Sequence, residues 1–297
     1  MADTESKSDK SAAGPWFDQP EPAYAQRAAA LSNKPDITAA AADYREKGYL
    51  VRDFGFSESD LSEAARYTKA ITKGRVQDAW LINPSIRNLA THPRVIEFLS
   101  ELYQAEAFPF QTLNFPRGSQ QETHSDTFHF NSLPVGFMCG VWIALEDIQP
   151  GSGPLKYFPG SQKLPVFSTA DLKGANVEDG YTRFVADTLA NSGHTGETAL
   201  IKRGQAFIWA ANLFHGGSPV TDPDKTRLSQ VTHYYFRGCS YFTPLASEAD
   251  GSKTFWREPY DFLANRFAKN AGPNQRPSWR YRLSERRRIW FKRPHEG

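Results

Sequence analysis

Residues 135–148, VGFMCGVWIALEDI, form an almost uninterrupted apolar stretch that is rich in β-branched and aromatic side chains. A run of this kind is typical of a strand buried in a core. Four further short runs have a similar composition and are divided by Gly, Pro, Asn and Asp; they cover residues 108–116, 155–160, 198–210 and 227–238. Several short strands separated by turn signals predict a sandwich or a barrel.

The first hundred residues have a different pattern, because their apolar residues recur at helical spacing. We expect helices over residues 36–47, 57–72 and 91–104, and a short strand over residues 49–54. The predicted fold class is therefore α+β, with N-terminal helices followed by short strands.

The length of 297 residues suits one large domain or two small ones. We expect a single domain over residues 36–250 and a basic, aromatic extension over residues 251–297. Residues 1–35 are expected to form a flexible lead, with docking of Trp16 and Phe17 as the alternative for these two residues. Residues 166–198 are polar and interrupt the strands. A long insertion of this kind is more often a functional lid than an idle loop, so we expect a lid here.

Composition argues against several classes of protein. The formal net charge of +2 gives no bulk attraction to nucleic acid. Nothing approaches the roughly 18 consecutive apolar residues that a membrane span needs, and the N-terminus lacks the apolar region of a secretory signal. The two cysteines, Cys139 and Cys239, cannot make a disulfide framework. We expect a soluble, cytoplasmic protein whose partner is a small molecule.

The C-terminal run 276–293 carries eight basic residues and one acidic residue, interleaved with aromatic residues. Such a mixture occurs in segments that bind nucleic acid, an anionic membrane surface or an anionic substrate. It also occurs in tails whose aromatic side chains pack on the domain and leave the arginines solvated. We favour the packed tail, with an anionic partner as the alternative.

The segment 123–130, THSDTFHF, places a histidine and an aspartate two residues apart just before the strand at 135–148. Residues i and i+2 of a strand face the same side, so His124 and Asp126 would project together. His215 follows another apolar strand and is the best third ligand. Two histidines and one carboxylate form the facial triad of non-haem Fe(II) oxygenases, which leaves three coordination positions open. The alternative is a hydrogen-bonded His–Asp pair without a metal.

Twelve residues after His215, Arg227 opens a strand that the pattern places in the core. A buried guanidinium needs an anionic partner. A bound dicarboxylate would supply one, because the fork of donors can clamp a carboxylate in bidentate fashion, and Ser218 could donate a further hydrogen bond. The alternative is a surface ion pair between Arg227 and Asp222 or Asp224.

Three segments together resemble the phytanoyl-CoA dioxygenase family of Fe(II)/2-oxoglutarate-dependent oxygenases. They are HSD at 124–126, GVWIALEDIQPGSGPLKYFPGSQK at 140–163, and GQAFIWAANLFHGGSP at 204–219 followed by the arginine at 227. Residues 44–64 also resemble the usual N-terminal opening of the family, so the resemblance covers about residues 40–240. It implies a double-stranded β-helix, which is a jelly-roll or cupin-like barrel, flanked by the N-terminal helices.

The resemblance also implies the cofactor Fe(II), the cosubstrate 2-oxoglutarate and dioxygen. His124, Asp126 and His215 match the iron ligands at the catalytic centre, and Arg227 matches the 2-oxoglutarate arginine. Arg227 lies one residue further from the distal histidine than we expect, and the extra glycine in HGGSP explains the offset. Four other residues match positions near the cosubstrate: Ser218, Gln111, Asn114 and Trp142. Related halogenases have Gly or Ala at the aspartate position, so Asp126 favours hydroxylation, with desaturation or ring formation as variants.

The residues that follow the HxD motif are candidates for substrate contact. We expect Phe128, His129 and Phe130 to line the substrate entrance, with ordinary packing under the next loop as the alternative. His233 shares a strand face with Arg227 because the two residues are an even number of positions apart. We interpret His233 as a hydrogen-bonded core histidine.

The leading functional hypothesis is an Fe(II)/2-oxoglutarate-dependent dioxygenase that oxidises an aliphatic C–H bond of a small or medium-sized metabolite. The second is a non-redox cupin-like protein in which the triad holds zinc or another metal for hydrolysis, isomerisation or binding. The third is an inactive scaffold that interacts through its basic tail. Arg227 and Ser218 separate the first two hypotheses, because a non-redox protein does not need a dicarboxylate clamp beside its metal.

Overall fold

The computed structural model describes residues 14–72, 74–167, 177–248 and 253–292. The α-helices in these residues are α1 (Glu21–Ala30), α2 (Pro35–Lys47), α3 (Glu58–Lys69), α4 (Pro84–Ala90), α5 (Pro93–Tyr103), α6 (Val177–Ser192) and α7 (Trp279–Lys292). The strands are β1 (Tyr49–Asp53), β2 (Val76–Gln77), β3 (Ala107–Phe115), β4 (Asn131–Leu133), β5 (Met138–Ala144), β6 (Leu155–Tyr157), β7 (Glu197–Thr198), β8 (Gln205–Ala210), β9 (His215–Gly217), β10 (Ser229–Phe236), β11 (Ser240–Phe242), β12 (Trp256–Arg257), β13 (Tyr260–Asp261) and β14 (Arg266–Phe267).

Local sequence accounts for the helices that were expected. Helix α2 ends at Gly48, which adopts the left-handed conformation with φ of 78°. The hydroxyl of Ser57 accepts a hydrogen bond from the backbone N–H of Asp60 at 3.1 Å and so caps α3. The expected helix at 91–104 is α5, and α4 precedes it as a separate helix. Every helix in the described part of the chain is too short or too polar to cross a lipid bilayer.

The centre of the molecule is a six-stranded antiparallel sheet with the order β1–β8–β5–β10–β3–β2. All seven residues of β5 are buried, so both faces of this strand are covered. Val141 and Ile143 point toward one face and join the hydrophobic cluster formed with the helices. Trp142 and Ala144 point toward the other face and join a cluster that contains Leu155 of β6. The alternation follows the two-residue period of a strand.

A three-stranded sheet, β7–β6–β9, lies on the face opposite the helices. Leu155 and Tyr157 of β6 pack there against Phe207 and Trp209 of β8. A second three-stranded sheet, β12–β11–β4, packs against the end of the large sheet near β3 and β10. The expectation of N-terminal helices followed by short strands is confirmed, and the strands of the large sheet pair in antiparallel fashion. The metal-site candidates lie between the large sheet and β9.

The described part of the N-terminal lead is packed rather than flexible. Trp16 and Phe17 are buried, with 9% and 1% of their surface exposed. The indole N–H of Trp16 donates to the carbonyl of Leu102 at 2.8 Å, and helix α1 follows. Residues 14–35 are therefore packed where a flexible lead was expected, and the domain boundary at residue 35 stays a prediction. Residues 1–13 lie outside the described residues.

The described part of the C-terminal extension also packs against the domain. Ile289 of α7 is 2% exposed and belongs to the main core, and Arg288 forms an ion pair with the buried Asp78. Trp290 and Phe291 remain exposed on the same helix. The tail therefore docks through α7, but only part of its aromatic surface is covered. The predicted boundary at residue 251 does not separate an independent segment.

Candidate metal centre

Two histidines from distant parts of the chain lie opposite each other in a backbone pair. The N–H of His124 donates to the carbonyl of His215 at 2.8 Å, and the N–H of His215 donates back to the carbonyl of His124 at 2.9 Å. Directly opposed antiparallel residues carry their side chains on the same side of the ladder. The centroids of the two imidazole rings are accordingly 4.5 Å apart.

Asp126 completes the cluster from a 3₁₀ turn, Asp126–Phe128, that follows His124. One potential ligand atom from each of His124, Asp126 and His215 lies within 4.8 Å of the others. The distance from Asp126 Oδ1 to His215 Nε2 is 3.9 Å. The structure thus brings together the three residues that the sequence pattern indicated as a metal site.

The hydrogen bonds of the two histidines orient them for metal binding. Nδ1 of His124 is 2.8 Å from the carbonyl oxygen of Glu122, and Nδ1 of His215 is 3.0 Å from the carbonyl oxygen of Leu213. A carbonyl oxygen only accepts, so each Nδ1 carries the proton and donates it. Each Nε2 therefore carries a lone pair that a cation can use, which is the arrangement that metal-binding histidines usually have. The side-chain nitrogen of Gln121 lies 3.4 Å from Nε2 of His124, so a metal ion would replace this contact.

Trp209 holds the carboxylate of the cluster in place. Its indole N–H donates to Asp126 Oδ2 at 2.7 Å. Gly140 lies opposite Trp209 in the register of β5 and β8, and a Cβ atom at this position would be 2.3 Å from the indole ring. The glycine inside an otherwise bulky strand is therefore needed for the close approach of Trp209.

Burial and neighbouring groups set the charge of the cluster. Burial lowers the pKa of His124 to about 3, and the nearby His215 adds to the effect. Burial alone would raise the pKa of Asp126, but His233, His215, His124 and the N–H of Trp209 together hold it below its usual value. At neutral pH the cluster therefore offers a carboxylate and a neutral His124, the forms that bind a metal ion.

His233 lies beside the cluster, on the face of β10 that points toward it. Its Nε2 is 3.6 Å from Asp126 Oδ2, and its Nδ1 is 3.0 Å from Oε1 of Gln111. Burial lowers the pKa of His233 to about 4. Its sequence-based interpretation as a hydrogen-bonded core histidine agrees with these contacts, but the residue also lines the cavity described next.

A cavity of about 270 Å³ opens beside the cluster and is lined by the second half of β3, from Gln111 to Phe115. Five of the residues predicted to contact cosubstrate or substrate line it: Gln111, Trp142, Arg227, His129 and Phe130. Three others are not among the lining residues: Ser218, Asn114 and Phe128.

Arg227 is almost fully buried, with 3% of its surface exposed, and lies between two aromatic rings of the cavity wall. Its guanidinium carbon is 5.4 Å from the ring centroids of both Phe115 and Trp142. Burial lowers the pKa of Arg227 to about 10. In the part of the chain that the structure describes, its protein hydrogen bond is to the carbonyl of Arg117 at 3.3 Å, and it makes no ion pair. The alternative of a surface ion pair is wrong, because Asp222 pairs with Lys225 instead.

Buried donors without partners mark the same region. Within the described residues, Nε of Arg227 and the indole N–H of Trp142 have no hydrogen-bond partner, and neither has the hydroxyl of Ser218. A buried polar group without a partner costs about 1–3 kcal/mol. The two donors on the cavity wall fit an anionic ligand beside the cluster. Ser218 is unpartnered but does not line the cavity, so its predicted contact is not supported.

The expected position of Asn114 near the cosubstrate needs a correction. The cavity-facing residues of β3 alternate along the strand as Gln111, Leu113 and Phe115. Asn114 points to the opposite face, is fully buried, and donates from Nδ2 to the hydroxyl of Thr68 on α3 at 3.1 Å. Residues three apart on a strand face opposite sides, so Gln111 and Asn114 cannot share the cavity.

The expectation that Phe128 lines the substrate entrance also needs a correction. It stacks on Tyr181 of α6 with ring centroids 4.0 Å apart, and it is buried in a cluster with residues of that helix. The 3₁₀ turn breaks the strand period after Asp126, so Phe128 turns away while His129 and Phe130 line the cavity. Phe128 anchors α6 and is not part of the entrance.

The insertion at 166–198 contacts the metal-site loop directly. The hydroxyl of Tyr181 accepts a hydrogen bond at 2.6 Å from the backbone N–H of Ser125, the residue between His124 and Asp126. Residues 168–176 lie outside the described residues, so the prediction of a lid stays a prediction. What the structure describes is a helix docked on the loop that carries two of the candidate ligands.

Two arginines that sequence reasoning did not select also line the cavity. Arg75 precedes β2, and Arg257 lies on β12 within the C-terminal extension. Neither position has a motif around it, and β12 reaches the site only by pairing with β11. Trp209 and Tyr181 were likewise missed, because their contacts depend on long-range packing.

Comparison with known proteins places these observations in context. The family model described as "Phytanoyl-CoA dioxygenase (PhyH)" matches residues 23–228. The epimerase SnoN from nogalamycin biosynthesis, solved with Fe3+ and alpha ketoglutarate, is similar with a TM-score of 0.57 and 22% identity over 80% of this chain and 97% of that chain. EctD from S. alaskensis has a TM-score of 0.56 and 19% identity over 81% of this chain and 86% of that chain. At these identities the likeness shows the fold. No curated protein matches the chain.

Proposed function

The chain belongs to the phytanoyl-CoA dioxygenase family of Fe(II)/2-oxoglutarate-dependent enzymes, and on that premise we propose that it hydroxylates an aliphatic C–H bond of a small metabolite. Membership makes it an enzyme that uses Fe(II) and 2-oxoglutarate. The reaction on the substrate and the role of each residue are the proposal. The observation that carries it is the buried guanidinium of Arg227, which makes no ion pair within the described residues and lies in the same cavity as the cluster of His124, Asp126 and His215.

The residues that line the site fit both Fe(II) and 2-oxoglutarate. Nε2 of His124, a carboxylate oxygen of Asp126 and Nε2 of His215 would hold Fe(II), since two imidazoles and a carboxylate are the donor set of non-haem iron oxygenases. Arg227 would hold the distal carboxylate of 2-oxoglutarate, with Trp142 beside it. When bound, Fe(II), 2-oxoglutarate and dioxygen supply the oxidising chemistry, in which the keto acid is decarboxylated to succinate.

The protein's own contribution is orientation and the exclusion of water. The carbonyls of Glu122 and Leu213 fix the two imidazoles, and Trp209 fixes the carboxylate. Burial keeps the guanidinium of Arg227 away from competing water, which strengthens its attraction for an anion. Rigid support of this kind keeps reacting groups in a productive geometry.

The strand order supports a jelly-roll as the finer description of the fold. The large sheet and the sheet β7–β6–β9 share one hydrophobic cluster, and the backbone pair of His124 and His215 extends the small sheet by one more segment. We therefore propose a double-stranded β-helix whose open end holds the cluster.

The test is an anaerobic titration of the purified protein with Fe(II) and then 2-oxoglutarate, followed by visible absorbance. We expect 2-oxoglutarate to bind only after Fe(II), and succinate to form faster in air when a substrate from a metabolite screen is present. Binding of metal without any binding of 2-oxoglutarate would instead favour the non-redox cupin-like alternative.

A further inference from the structure

Arg257 is one of three arginines that line the cavity. Arg75 and Arg227 both lie near the ring of Phe115, whereas Arg257 lies against other rings. Its guanidinium carbon is 4.8 Å from the ring centroid of Phe130 and 5.9 Å from that of Phe110. Phe110 lies in the middle of β3, at the register shift with β10, whereas Phe115 is the last residue of the strand and lies against Arg227. Phe110 and Phe115 are five positions apart in β3, and the two guanidinium groups contact different pairs of rings: Phe115 and Trp142 for Arg227, Phe110 and Phe130 for Arg257. The two arginines therefore contact different parts of the cavity wall.

Arg257 is held on aromatic rings but has no anion in the described part of the chain. Its NH1 donates to the hydroxyl of Thr243 at 3.3 Å, and its Nε is buried without a hydrogen-bond partner. The phenols of Tyr235 and Tyr281 also lie near it. The adjacent carboxylate, Glu258, is taken by an ion pair with Arg282 of α7. A half-buried guanidinium with an unused donor is costly unless a ligand completes it.

A line of contacts joins Arg257 to the metal cluster. The Phe130 ring under Arg257 is 5.2 Å from the His233 ring, measured between centroids. Nε2 of His233 is 3.6 Å from Asp126 Oδ2. A small molecule anchored at Arg257 would therefore lie over Phe130 and His233 and bring a carbon atom toward the cluster.

We propose that Arg257 binds a carboxylate of the substrate, so that the enzyme acts on small carboxylic acids with an apolar body; this rests on the proposed function above. The fork of Nε and a terminal nitrogen matches a carboxylate, and the ring of Phe130, which lines the cavity, matches an apolar body. The cavity of about 270 Å³ also has to hold 2-oxoglutarate. Pockets for drug-sized ligands occupy about 300–1,000 Å³, so a bulky conjugate would not be enclosed.

Arg257 lies outside residues 23–228, the range that the family model matches. The position is supplied by β12, which joins the site through the pairing of Arg257 with Tyr241 on β11. The C-terminal segment therefore contributes to substrate specificity in addition to the stability of the fold.

The experiment compares acids with their neutral amides. Wild-type protein with Fe(II) and saturating 2-oxoglutarate is titrated anaerobically, by calorimetry, with 3-phenylpropanoate and 3-phenylpropanamide, and with octanoate and octanamide. We expect at least one acid to bind tenfold or more tightly than its amide. Arg257→Gln should reduce this preference to within about twofold, and Arg257→Lys should keep part of it, because a point charge replaces the fork. The 2-oxoglutarate affinity should not change in either variant.

The matched control is Arg52→Gln, since Arg52 also lies over a phenylalanine, 4.2 Å from the Phe98 ring, but does not line the cavity. This variant should keep the wild-type acid preference. Equal affinity for acid and amide, no binding of either pair at millimolar concentration, or a preference that survives in Arg257→Gln would overturn the proposal. A fall in 2-oxoglutarate affinity in Arg257→Gln would overturn it by assigning Arg257 to the cosubstrate. If wild-type protein binds no 2-oxoglutarate at all, both proposals fail.

If Arg257→Gln folds poorly, as judged by its melting temperature, the comparison of acid and amide in wild type and in Arg257→Lys still tests whether Arg257 binds the carboxylate. Normal 2-oxoglutarate binding together with no acid preference would remove the carboxylate subsite and leave the proposed function standing.

Discussion

The proposed cosubstrate site has the metal cluster at one end and Arg227 at the other, and these two ends differ in how their polar atoms are satisfied. Around the metal cluster, the atoms that would not face a metal ion already have protein partners: Nδ1 of His124, Nδ1 of His215 and Oδ2 of Asp126 each make a hydrogen bond. At the other end, Nε of Arg227 and the indole N–H of Trp142 have none within the described residues.

The difference shows what each end is built to receive. A set of fixed donors with free lone pairs is preorganised for a cation, and it needs little rearrangement when the ion binds. A buried cation with unused donors is incomplete until an anion arrives, because each unsatisfied donor costs about 1–3 kcal/mol. Loss of a residue should therefore abolish function at the first end and weaken cosubstrate binding at the second.

The largest effect is expected at the metal cluster. His124→Ala, Asp126→Ala and His215→Ala should each abolish Fe(II)-dependent turnover of 2-oxoglutarate, because removal of one ligand leaves an incomplete site. The folded state should survive, since the hydrogen bonds that pair His124 with His215 are made by the backbone. Succinate formation and circular dichroism measure the two properties. Full activity in any variant would remove that residue from the triad.

At the other end, Arg227→Ala should weaken 2-oxoglutarate binding by roughly ten- to a hundredfold. The lost charged hydrogen bonds are worth about 1.5–3 kcal/mol, and each 1.4 kcal/mol is a factor of ten. Arg227→Lys should recover only part of the loss. Fe(II) affinity, titrated in the same samples, should stay within a fewfold of wild type. Unchanged dependence on 2-oxoglutarate in Arg227→Ala would contradict the comparison between the two ends.

Two tryptophans, Trp209 at the metal cluster and Trp142 beside Arg227, provide a matched test of the difference between the two ends. Trp209→Phe removes the donor to Asp126 and should lower Fe(II) affinity about tenfold, the lower limit for such supporting contacts. Trp142→Phe removes an indole N–H that has no partner in the described residues, so Fe(II) affinity should be unaffected. Metal titration monitored by the binding of 2-oxoglutarate distinguishes the two. Equal losses in both variants would show that ring packing, and not the hydrogen bond, matters.

The smallest effect is expected on the far face of β3. Asn114→Ala should lower the free energy of unfolding by about 1 kcal/mol, through loss of the bond to Thr68, and leave 2-oxoglutarate affinity unchanged. Gln111→Ala removes the partner of His233 on the cavity face and should affect turnover more than stability. Denaturant unfolding and succinate formation separate these outcomes. A change of 2-oxoglutarate affinity in Asn114→Ala would restore the role first expected for that residue.

The sequence alone predicted the features that depend on residues only a few positions apart. The spacing of His124 and Asp126 and the apolar strands could be read directly, because motif and strand period act over a few residues. The opposite orientation of Gln111 and Asn114 follows from the same period and could also have been foreseen. Phe128 could not, because the 3₁₀ turn at Asp126 interrupts the period.

Sequence patterns did not predict contacts between segments that are distant in the chain. Arg257 reaches the cavity through strand pairing of β12 with β11, and Tyr181 reaches Ser125 through the docking of α6. Neither contact leaves a periodic signal, because the residues concerned are far apart in the chain. The same holds for Trp16 and its bond to Leu102. A flexible lead was expected there because polar, small residues dominate the first positions.

The backbone pair of His124 and His215 has a consequence for the unfolded chain. The two residues are 91 positions apart (215 − 124), so an unfolded polypeptide does not hold them at one point. A metal ion that needs both therefore binds the folded form and favours it by mass action. At a hundred times its dissociation constant, such an ion adds about 2.7 kcal/mol to the stability. The melting temperature should accordingly rise with the concentration of a suitable divalent metal.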